Sequence, residues 1–116
     1  MLKGFHYTRG INCEAAIQQL AEGWVGEEVL AISIYCALKY QNDFKKAVLT
    51  AINHSGDSDN TGAITGNIVG AYLGLKSIPS DWIKNVELSG SILQNADDLL
   101  IKHRDTQEWW ERYPGY

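Results

Sequence analysis

An all-α fold is predicted by three features of the 116-residue sequence. Apolar residues recur at steps of three and four between short polar breaks, which is helical spacing. Residues suited to capping stand at several of the starts. Four glycines, Gly62, Gly66, Gly70 and Gly74, stand four apart in an otherwise apolar run. With 45% hydrophobic residues and no internal boundary, the expectation is one helical domain over residues 1–116, with a buried core.

The first element is residues 12–21, NCEAAIQQLA, where Ala16, Ile17 and Leu20 share a face, Asn12 is placed to cap and Gly23 to stop the helix. Residues 27–40, EEVLAISIYCALKY, open with two glutamates at the positive end of the helix dipole and are then apolar on nearly every side, which predicts a central, buried helix. Asp43 can cap a third helix through Ile52, in which Phe44, Ala47, Val48 and Ala51 form one face. Next comes the glycine-punctuated segment starting near Asp59. Each interior glycine costs a helix about 1 kcal/mol relative to alanine, so a neighbouring helix packed close to its backbone is expected in return. After Lys76 the pattern gives a break at residues 77–79, a short turn around Trp82, a helix from about Ser89 to His103, and a last turn, TQEWWERY, that Asp105 can cap.

Net charge of −4 and a pI near 5.2, with dispersed lysines and arginines, exclude the clustered basic surface that nucleic acids and anionic membranes need. The least charged run, residues 60–75, is shorter than the ~20 residues of a membrane span. The N-terminal MLKGFHYTRG lacks the apolar core of a signal peptide and there is no CxxC, so a cytoplasmic location is expected, with Cys13 and Cys36 as free thiols and Cys36 buried.

The chemistry concentrates in residues 53–62, NHSGDSDNTG. Asp57 and Asp59, with Asn60 beside them, gather hard oxygen donors at the start of the glycine helix, a set suited to Mg²⁺, Mn²⁺ or Ca²⁺ rather than zinc. One such aspartate alone would be read as a helix cap; two and an amide within four residues favour a cation. A calcium-loop reading puts Asp57, Asp59 and Thr61 at positions 1, 3 and 5 and Gly62 at 6, but position 12 falls on Ile68, where a bidentate glutamate is required. His54 adjoins the cluster and is either a ligand contact or a packing residue. His6 and His103 have no partners at metal-ligand spacing. Glu27 and Glu28 are expected to serve the helix dipole rather than acid–base chemistry, and Trp109 and Trp110 to be core or interface aromatics. No phosphate loop of the P-loop or dinucleotide type is present.

Four ordered segments, GWVGEEVLAISIYCAL (residues 23–38), NHSGDSDNTGAITGNIVGAYLG (53–74), IPSDWI (78–83) and WWERYPGY (109–116), resemble the C-terminal portion of the ADP-ribosylglycohydrolase family, the likeness covering about residues 10–116. The resemblance implies an all-α fold holding two adjacent Mg²⁺ or Mn²⁺ ions that bind ADP-ribose and assist hydrolysis of its linkage. It assigns Asp57, Asp59 and Asn60 as metal ligands and puts Ser55, Gly56 and Ser58 against the ligand. Asn60 departs from the hydroxyl residue usual there. Family members are longer, and their N-terminal part supplies a second acidic and hydroxyl cluster that residues 1–52 do not show. Two divalent cations held by two aspartates would leave about two positive charges uncompensated at close range. The expectation is therefore half of a dinuclear site, inactive alone, that works when a separate N-terminal subunit completes it. The alternative is a non-catalytic helical module that oligomerises, as a homodimer, through helix 27–40 or the glycine helix.

Overall fold

A computed structural model describes residues 13–20 and 23–115, and every described element is helical: α1 (Cys13–Leu20), α2 (Gly26–Lys39), α3 (Phe44–Ile52), α4 (Ser58–Leu73), a 3-10 turn (Leu75–Ser77), α5 (Ser80–Asn85), α6 (Ser89–Ile101) and α7 (Gln107–Arg112). The all-α expectation holds. Asn12, expected as the cap of α1, and His6 lie outside the described residues. The chain divides into two compact units, residues 1–79 and 80–116.

In the first unit, α2, α3 and α4 pack on one another and α1 packs on α2. Ile17, Ile32, Cys36 and Ala51 form a fully buried cluster, with Tyr35 against it. The Sγ of Cys13 lies 2.9 Å from the Tyr40 hydroxyl, across the α1–α2 seam. Both cysteines are free; burial, and then the neighbouring Cys13, push the Cys36 thiol up to about 12.

α3 begins as its sequence predicts: the Asp43 carboxylate accepts from the Lys46 backbone N–H at 3.0 Å. Its Phe44, Val48 and Ile52, one turn apart, face the glycines of α4. A Cβ at Gly70 would stand 3.5 Å from Phe44 and one at Gly66 3.9 Å from Val48, but one at Gly62 would be driven into Ile52. The close helical neighbour that the glycine spacing asks for is thus α3, within the same unit. Gly74 does a different job, ending α4 at φ +78° with its N–H on the Gly70 carbonyl at 2.8 Å.

α2 departs from its expected burial. Val29, Ile32, Ser33, Cys36 and Ala37 face inward, while Leu30, Ile34 and Leu38, at i, i+4 and i+8, are 49%, 38% and 65% exposed. The neighbouring helices cover one side of it and leave the opposite side as an apolar stripe.

In the second unit the segment around Trp82 is a helical turn and a half rather than a simple turn. The cap of α7 is Thr106, whose hydroxyl accepts from the Trp109 N–H at 3.3 Å. Asp105, expected in that role, instead accepts from the Trp110 indole N–H at 2.9 Å, because it stands one residue outside capping reach. His103 meets both indoles edge-on and Trp109 packs on Tyr113, so these aromatics hold α7 locally. Around the buried Asp98, Arg112 donates at 2.8 Å, the Tyr113 hydroxyl lies at 2.9 Å and the Gln94 amide at 3.2 Å.

Candidate functional site

The turn between α3 and α4 carries the candidate residues. α3 ends at Ile52 and α4 starts at Ser58, so residues 53–57 must reverse the chain between two tightly packed helices. Asp57 occupies the N-cap position of α4, yet its side chain caps no backbone N–H. It turns instead to the side chains around it: Asp57 Oδ2 accepts from Asn60 Nδ2 at 2.7 Å. A hydrogen bond with the Asp57 carboxyl, and then the backbone N–H groups of Asn60 and of Asp59 itself, hold the Asp59 carboxyl below the ordinary carboxylate range. Two acids in hydrogen-bond range repel when both are ionised. A shared proton or a cation makes the contact favourable, so the pair fits a hard divalent ion by its donor chemistry.

Asp57 is half-buried, and Asp59 and Asn60 are exposed. Asn60 is thus brought to the pair, with its amide nitrogen toward Asp57. Ser55 is exposed, and Gly56 and Ser58 are half-buried in the same turn. No group of three or more His, Cys, Asp or Glu side chains placed to hold a metal occurs among the described residues. The donors contributed here are therefore two carboxylates and an amide.

Beneath the turn lies a network that spacing alone does not disclose. The Gly56 N–H donates to His54 Nδ1 at 3.1 Å, and His54 Nε2 lies 3.0 Å from Thr61 Oγ1. Thr61, fully buried, donates to the Ala51 carbonyl at 2.7 Å, and its own carbonyl lies 3.2 Å from the Ser33 hydroxyl of α2. Thr61 therefore ties the start of α4 to both neighbouring helices. Its signal in the sequence was only a threonine in the first turn of the glycine helix, a place where most threonines do less.

The turn before α2 closes against the same residues. Gly23, at φ +78°, leaves room where a Cβ would stand 3.5 Å from Thr61, 3.6 Å from the Asp57 carbonyl and 3.6 Å from the His54 ring. Glu28 Oε2 accepts from the backbone N–H groups of Gly23 and Trp24, both at 3.1 Å, so this glutamate holds the turn that abuts the site. Glu27 is exposed in the first turn of α2, where it meets the helix dipole.

The family model described as ADP-ribosylglycohydrolase matches residues 5–109. Similar proteins include the ADP-ribosyl-dinitrogen reductase glycohydrolase of Rhodospirillum rubrum, 38% identical over 59 residues that make up 49% of this chain and 20% of that protein. The ADP-ribosylarginine hydrolase Tri1 of Pseudomonas putida is 34% identical over 67 residues, 58% of this chain and 18% of its own. The ADP-ribosylhydrolase ARH3 of Mus musculus is 25% identical over 87 residues, 66% of this chain and 24% of its own. The chain thus spans no more than a quarter of the length of these relatives. No solved structure matches it.

Proposed function

The chain belongs to the ADP-ribosylglycohydrolase family, and we propose that it contributes Asp57, Asp59 and Asn60 as one half of a Mg²⁺ or Mn²⁺ site for hydrolysing ADP-ribosyl linkages. The observation that carries this reading is the placement of two carboxylates and an amide at the start of α4, where the Asp57 side chain caps no backbone N–H and accepts instead from Asn60. A divalent cation bound there would supply positive charge against a diphosphate and Lewis-acid polarisation. The chain's own residues do the holding. Asp57 and Asp59 furnish the negative charge, Asn60 orients Asp57, and Ser55 stands exposed where a ligand hydroxyl or phosphate oxygen can reach it.

Two carboxylates and an amide leave most octahedral positions to water, so binding by these residues alone is weak. Mn²⁺ paramagnetic relaxation of the purified chain is expected to show a site that vanishes in the Asp57→Ala/Asp59→Ala variant. Unchanged binding in the double variant refutes the assignment. The same 116 residues are expected to release no ADP-ribose from modified protein in the presence of Mg²⁺, and metal-dependent turnover by them would contradict the half-site reading.

A second reading is favoured by the exposed Leu30, Ile34 and Leu38 of α2: a helical module whose role is association, with a separate N-terminal subunit or a second copy, and whose carboxyl pair has lost turnover.

A further inference from the structure

We propose that His54 is the positioning residue of the carboxylate turn: a link of one fixed tautomer that clamps the Gly56 backbone to α3 and α4 and thereby sets the direction of Asp57. The proposal rests on the cation reading above and adds to it a residue that neither the aspartate pair nor the family match assigns.

A backbone N–H can only donate, so the His54 Nδ1 that Gly56 reaches at 3.1 Å carries a lone pair and no hydrogen. The ring proton is then on Nε2, which donates to Thr61 Oγ1 at 3.0 Å. Thr61 has a single hydroxyl hydrogen, and every other partner of Oγ1 is a backbone carbonyl, that of Ala51 at 2.7 Å being nearest, ahead of Ser58 at 3.0 Å and Asp57 at 3.4 Å. The Ala51 carbonyl lies in the last turn of α3, where helix carbonyls lack an intrahelical partner. The relay thus runs in one direction, from Gly56 through His54 and Thr61 to backbone carbonyls, that of Ala51 the nearest. Its direction cannot be reversed, because both ends are backbone groups of fixed character.

Gly56 immediately precedes Asp57, and the Asp57 side chain makes no hydrogen bond to the backbone of α4 that would orient it independently. Asn60 holds one oxygen of the Asp57 carboxyl at 2.7 Å, and the clamp on Gly56 fixes the backbone from which that carboxyl projects. At Gly23 a Cβ would stand 3.6 Å from His54 Cε1, so the turn before α2 passes close to the ring. Outer partners that orient metal ligands in this way commonly change metal affinity by about 10- to 100-fold when removed.

Three variants separate the clamp from simple packing. In His54→Asn the Oδ1 stands in for Nδ1 and can still accept from Gly56, while the donor to Thr61 is lost. In His54→Gln the amide nitrogen stands in for Nε2 and the Gly56 acceptor is lost. His54→Ala removes both. Amide exchange at Gly56 by NMR and Mn²⁺ relaxation titration are read on each variant, with thermal melting to show that each is folded. The expected result is Gly56 protection and Mn²⁺ affinity near wild type in His54→Asn, with protection lost and affinity lowered by about tenfold or more in His54→Gln and His54→Ala. Equal Gly56 protection in wild type and His54→Ala overturns the clamp, as does a His54→Asn variant no better than His54→Gln. If the wild-type chain binds no Mn²⁺, the cation reading falls and the clamp is decided by Gly56 exchange alone.

Discussion

Thr65 sets a hydroxyl in the core with no hydrogen-bond partner, fully buried on the inward face of α4. An unsatisfied buried hydroxyl costs about 1–3 kcal/mol, and an isosteric apolar replacement removes that cost. Thr65→Val is therefore expected to raise the melting temperature, and a lower one would show that the hydroxyl has a partner. Thr61, one turn earlier, behaves in the opposite sense because its hydroxyl is the middle of a relay. Asp98 gives the second residue-scale expectation. Burial pushes its carboxyl up, but hydrogen bonds from Tyr113 and Arg112, the Arg112 charge and the Gln94 amide together bring it below the ordinary range. A depressed folded pKa means the unfolded chain binds the proton first. The contribution is complete above the ordinary carboxylate value of about 4 and is lost as pH falls through the lower folded value. Trp fluorescence on acidification should therefore report loosening of α6 and α7 below about pH 4, and Asp98→Asn should flatten that transition. At this scale the sequence disclosed the carboxyl pair, because two aspartates two residues apart stay close in any local conformation. The His54–Thr61 contact was hidden, since it depends on α3 and α4 lying antiparallel.

Among the elements, α4 shows how unequal four evenly spaced glycines are. Gly62 faces Ile52 with no room for a Cβ, Gly66 has ordinary contact distances, and Gly74 is a helix end. Gly66→Ala is expected to stabilise by up to about 1 kcal/mol through helix propensity. Gly62→Ala is expected to destabilise by about 1–3 kcal/mol, because the overpacking falls on a β-branched side chain that cannot swing aside. Chemical denaturation of the two variants checks the opposite signs; a stabilised Gly62→Ala would mean α3 yields. The start of α3 and the extent of α4 were legible because caps and glycine spacing are local signals. The half-covered state of α2 was not, since an apolar run reads alike whether neighbours cover all of it or one side.

For the whole molecule, the stripe of Leu30, Ile34 and Leu38 is the feature that calls for a partner, now that α3 accounts for the glycines. Contiguous exposed apolar surface commonly marks an interface. Light scattering at micromolar concentration is expected to show a species larger than the monomer that Ile34→Asp dissociates; a monomeric wild-type chain would show that the stripe stays in water.

The hairpin of α3 and α4 also bears on the order of events in folding. Its facing pairs, Ile52 with Gly62, Val48 with Gly66 and Phe44 with Gly70, are 10, 18 and 26 residues apart in the chain, each pair nested inside the next. Contacts so near in sequence close early and at little loop entropy. The two acids are at the apex of that zipper, so they are brought to the same turn when its first rung forms, before the rest of the chain has settled.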